Sequence, residues 1–66
     1  MTIIVNGEDK TYTEGISLLA MLEDLGLSDK VMAAAVNMNI VKQESWGTHI
    51  LNGGDKLELL DFVGGG

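Results

Sequence analysis

One short amphipathic helix between Ser17 and Gly26 limits every architecture open to the rest of the chain. Leu18, Leu19, Leu22 and Leu25 recur at helical spacing with Met21 beside them, while Glu23 and Asp24 fall on the opposite face. Ser17 is suited to accept an orphan helix N–H, and Gly26 suits the left-handed position that ends a helix. The spacing predicts a helix over residues 18–25. At about 12 Å long it would not hold alone in water. The leucine stripe must therefore lie on a sheet. A chain of 66 residues has a marginal core, and with no cysteine it has neither disulfides nor thiolate metal sites to reinforce one.

The strands for that sheet flank the helix. Residues 2–6 are short and β-branched, and Asn6-Gly7 is a favoured hairpin dipeptide because both residues tolerate positive φ. Residues 10–13 alternate like a returning strand, after a loop somewhat longer than two residues. The apolar run 31–37 is compatible with helix or strand; flanking asparagines and Ile40-Val41 at hairpin distance favour strand. Residues 42–47 read as a polar turn or short 3-10 piece holding Trp46. Gly53-Gly54-Asp55 is a turn signal, and Lys56–Val63 forms the last strand. The expected fold is α+β: a mixed sheet of four to five strands, with one main helix on one face and the last strand parallel to the first. That is the ubiquitin-like β-grasp arrangement. It is expected to occupy residues 1–66 as one domain, with 64–66 a flexible glycine tail.

Composition narrows the partners. Ten acidic residues against four basic ones give a net charge of −6, so phosphate backbones and anionic lipid would repel the chain. We expect neither nucleic-acid nor membrane binding. No apolar stretch approaches the roughly 18 residues needed to span a bilayer, and the first residues lack the pattern of a signal peptide. The expected location is cytoplasmic.

The search for catalytic apparatus is largely negative. His49, the one histidine, lies in an apolar segment with no cue to a nucleophile or an orienting carboxylate. Glu8-Asp9 and Glu23-Asp24 lack metal-loop spacing and read as solvated faces. Met21, Met32 and Met38 read as core gap-fillers rather than a soft-metal set. Trp46 reads as a packing anchor. Gly53-Gly54-Asp55 does not open into a helix and so cannot be a phosphate loop. We expect no metal site, no catalytic residue and no bound cofactor.

What remains is Gly64-Gly65-Gly66. A glycine run can be a frayed end, but a terminal carboxylate free of flanking side chains can also thread a narrow channel and meet an ATP-derived phosphate. Activation as an acyl-adenylate would make that carboxylate an electrophile, and a sulfur donor could convert it to a thiocarboxylate. The protein would then be a substrate.

Ordered features extend this reading along the chain: Ile3-Ile4-Val5-Asn6-Gly7, the leucine helix, Ala34-Ala35-Val36-Asn37, Ile40-Val41, Trp46, and Gly54-Asp55 leading through Leu57–Val63 to the glycines. Taken together, the chain resembles the thiamine-biosynthesis sulfur carriers, a family of ubiquitin-like β-grasp proteins. Similar carriers commonly have proline and arginine where this sequence has Lys42 and Gln43, a change expected to alter a surface turn only. The resemblance implies that an ATP-dependent activating enzyme adenylates Gly66 and that the chain itself is not an enzyme. Sulfur would come from a donor such as a cysteine desulfurase, and thiazole synthase would take it from the thiocarboxylate. Gly64 and Gly65 would form the slim stalk. The alternatives are a sulfur carrier for molybdopterin synthesis, and a protein modifier or interaction module without thiolation.

Alternation along the last strand assigns Leu57, Leu59 and Asp61 to the helix-facing side and Glu58, Leu60 and Phe62 to the open side. Leu60 and Phe62, beside Ile4 and continued by Val63, are the expected partner-docking surface. A partner gripping them would aim Gly66 into its active site.

Overall fold

The computed structural model describes residues 1–61; Phe62, Val63 and Gly64–Gly66, which include most of the expected docking and tail residues, lie outside the described residues. Five strands form one mixed sheet: β1 (Thr2–Val5), β2 (Glu8–Thr11), β3 (Val31–Val36), β4 (Asn39–Val41) and β5 (Lys56–Asp61), in the order β2-β1-β5-β3-β4. A helix, α1 (Leu18–Asp24), and a 3-10 turn (Gln43–Ser45) complete the element order. β1 and β5 run parallel at the centre, and all other neighbours are antiparallel. This is the expected β-grasp topology.

The first hairpin is tighter than expected. Asn6 and Gly7 take φ of 49° and 85°, and Val5 pairs directly with Glu8. A two-residue turn with both φ positive matches the strand twist, so the return begins at Glu8 rather than Lys10. β2 is consequently a charged, exposed edge, which discourages pairing with other chains. Asn37 and Met38 make a second such turn, with φ of 51° and 71°.

Ser17 caps α1 as its type suggests, its Oγ accepting the Ala20 N–H at 3.1 Å. The neighbouring orphan amides find carbonyls in the segment after the 3-10 turn: Leu18 N–H donates to His49 O at 2.8 Å, and Leu19 N–H to Trp46 O at 3.0 Å. At the other end Leu25 is the C-cap, and Gly26 follows with φ of 72°.

The buried face of α1 is Leu18, Met21 and Leu22, with Leu19 and Leu25 only half-buried at its margins. The stripe is thus rotated slightly from the all-leucine one, and Met21 belongs to the core. It shares that core with Ile3, Val5, Val36 and Leu57 of the sheet and with Ala34, Trp46 and Leu51. Two other methionines do not fill the core. Met32 is 61% exposed at a register shift, where β3 fits one extra residue between Val31 and Ala33. Met38 is 89% exposed at the hairpin tip.

Candidate functional site

β5 carries the chain toward its glycines, so its two faces decide what a partner would meet. Leu57 and Leu59 point into the core at 1% and 9% exposure, and Leu60 points away at 58%. The sheet is covered by α1 on one side only, which leaves Leu60 on the open side with Glu58 and the outward residues of β3 and β4.

Register defines the neighbourhood. Leu60 lies opposite Ala33, and Ala35 lies between Glu58 on β5 and Ile40 on β4. Small alanines between large side chains leave an open depression of about 390 Å³, bordered by Ala33, Ala35, Ile40, Glu58 and Leu60, with Asn6 and Leu59 at its β1 side. Ile40 is 69% exposed. Ile40 and Leu60 thus gather as exposed apolar side chains on the open side of the sheet.

One expected neighbour is misplaced. Ile4 pairs with Lys56, four residues before Leu60, because β1 turns away after Val5. The apolar company of Leu60 therefore comes from β3 and β4. Ile4 borders a separate depression with Met38, Lys56 and Glu58, of about 440 Å³. Alternation identified Leu60, but nothing local in the sequence pointed to Ile40. Its placement depends on the Asn37-Met38 turn bringing β4 back beside β3.

Other candidates prove structural. Trp46 is 1% exposed, and its indole N–H donates to Val41 O at 2.9 Å. His49 is half-buried and contributes its backbone carbonyl to the helix start. Lys42 and Gln43, where the pattern of similar carriers changes, are exposed at the entry to the 3-10 turn. Among the described residues no group of His, Asp or Glu could hold a metal ion. Among the same residues no helix is long and apolar enough to cross a membrane.

The model of the ThiS family matches residues 3–66. The sulfur carrier protein ThiS of Escherichia coli is 32% identical over 66 residues, with all of both chains covered. A thiazole synthase of Paramagnetospirillum magneticum is 35% identical over the whole of this chain, which spans about a fifth (20%) of that protein's length. The crystal structure of the thiamine biosynthesis protein ThiS from Geobacter metallireducens superposes with a TM-score of 0.82 at 27% identity, again covering both chains. A sheet with one covered face, a strand leading to a glycine triplet and an end-to-end match to a known carrier agree with one another. The chain belongs to the ThiS family of sulfur carriers.

Proposed function

We propose that this chain carries sulfur for thiazole formation in thiamine biosynthesis, with the carboxylate of Gly66 as the sulfur-bearing group. The observation that carries the reading is the full-length match to the Escherichia coli carrier. The match to thiazole synthases supports the identity of the acceptor: a segment equivalent to this chain occurs within those longer proteins.

In the proposed cycle an ATP-dependent activating enzyme joins the Gly66 carboxylate to AMP and releases pyrophosphate. A persulfide sulfur, such as that of a cysteine desulfurase, displaces AMP. A second thiol then cleaves the resulting disulfide and leaves the thiocarboxylate for thiazole synthase. The chain acts as co-substrate, and ATP belongs to the activating enzyme's site. We place the cycle in the cytoplasm, where that ATP is available. Gly64 and Gly65 add no side-chain bulk as the carboxylate enters the enzyme. Leu60, with Phe62 and Val63 beyond it, serves as the docking surface that directs Gly66 inward. Glu58 on the same face favours a basic partner surface.

The test is the intact mass after incubation with ATP, an activating enzyme and a sulfur source. Replacement of one oxygen by sulfur is expected. The change should vanish when Gly65 and Gly66 are deleted, or when residues are appended after Gly66. An unchanged wild-type mass under conditions that thiolate the Escherichia coli carrier overturns the reading, as does an isopeptide bond to lysine. Thiazole formation by added thiazole synthase then tests the pathway.

A further inference from the structure

We propose that Asn6 is a positioning residue whose side chain fixes the end of β5, and with it the point from which residues 62–66 continue; this rests on the carrier reading above. The ladder between β1 and β5 is interrupted. On the parallel side of β5, Ile4 N–H donates to Asp55 O at 3.0 Å and Asn6 N–H to Leu57 O at 2.9 Å. If β1 continued, the backbone carbonyl of Asn6 would next accept from Leu59 N–H. It does not continue: Asn6 takes a φ of 49° and turns the chain into β2.

The Asn6 side chain supplies the missing rung. Leu59 N–H donates to Asn6 Oδ1 at 2.8 Å, and Asn6 Nδ2 reaches back to Leu59 O at 3.5 Å. The short bond carries most of the tie, and the longer contact sets the orientation of the amide. No strand can substitute. Both backbone groups of Leu59 face Asn6, so β3, on the opposite side, cannot take them. Leu59 is only 9% exposed, so water is a poor replacement.

Past Leu59, β5 is held by β3 alone, and there the register is shifted: Ala33 pairs with Leu60 and Val31 with Asp61, with Met32 extra. Among the described residues, Asn6 is thus the last tie on the β1 side of β5. Two demands meet at this position. The turn needs a residue that tolerates positive φ, and the strand needs a side-chain oxygen to accept from Leu59 N–H. Glycine meets the first alone; aspartate tolerates the turn and keeps the oxygen for Leu59 N–H.

A tail that delivers a carboxylate to another protein's active site gains from a fixed point of departure, because a loose base multiplies the orientations it samples. Asn6→Gly should therefore slow the chemical step more than it weakens docking. Amide exchange at Leu59, measured against Leu57, is expected to accelerate by roughly tenfold, the equivalent of one hydrogen bond's net contribution. In thiocarboxylate formation kcat should fall by about tenfold with KM within about twofold. Asn6→Asp should restore Leu59 protection and most of kcat, and it serves as the folded control should the glycine variant unfold. Unchanged Leu59 exchange in Asn6→Gly overturns the tie. A raised KM with kcat unchanged would assign Asn6 to docking and overturn the positioning role. Failure of the wild-type chain to become a thiocarboxylate overturns the carrier reading instead, and the exchange comparison still decides the tie.

Discussion

The indole N–H of Trp46 is tied to the carbonyl of Val41 at 2.9 Å, so the turn after β4 is stitched to the strand it leaves. The ring is also 1% exposed within the core. Trp46→Phe keeps most of the packing and the Val41 carbonyl keeps its ladder partner Ala34, so losing the indole hydrogen bond should cost about 0.5–1.5 kcal/mol. Trp46→Ala should cost about 3–5 kcal/mol. Urea denaturation of the two variants separates the hydrogen bond from the burial.

Leu22 and Leu19 differ in burial on the same helix, and their truncations should differ with it. Leu22 is fully buried, so Leu22→Ala should lose about 2–5 kcal/mol, a large share of the stability of so small a protein. Leu19→Ala, at the half-buried margin, should cost clearly less. Equal melting temperatures for the two variants would contradict the observed helix face.

Leu59 and Leu60 are adjacent in sequence and opposite in burial. Leu60→Ser should change stability by no more than about 0.5 kcal/mol. In the proposed cycle it should raise the activating enzyme's KM for the carrier by about tenfold, as expected of an apolar anchor. Leu59→Ser should unfold the protein or destabilise it by about 3 kcal/mol or more. Thermal melts paired with activation kinetics distinguish the two.

Tyr12 gives the protein an alkaline limit. Burial, with the Asp24 carboxylate adding to it, pushes the Tyr12 phenol above its ordinary value. The unfolded chain therefore releases this proton at lower pH than the folded one. The contribution is fully present below about pH 10 and is lost as pH rises through the raised folded value. Melting temperatures from about pH 9 to about pH 12 should fall less steeply for Tyr12→Phe than for wild type.

Much of this architecture was legible because its determinants are local. Asn6-Gly7, the leucine spacing after Ser17 and the Gly53-Gly54-Asp55 turn each act within a few residues, and alternation placed Leu57, Leu59 and Leu60 on their proper faces. Other features depend on distant segments. The Asn6 tie spans 53 residues, and His49 and Trp46 meet the helix start only after the chain has folded back. Met32 became exposed through a strand irregularity, and Met38 because it sits at the tip of the hairpin turn that the flanking asparagines mark. Ile40 reached the open face beside β3 through the same turn. Composition alone would have put all three inside.

The parallel pairing of β1 with β5 has a mechanical consequence. The first and last strands lie side by side at the centre of the sheet and point the same way. Tension applied beyond Asp61, with the start of β1 held, would drag the two strands past each other lengthwise. The rungs at Asp55, Leu57 and Leu59 would share that load together, whereas a hairpin pulled at its open end gives way one rung at a time.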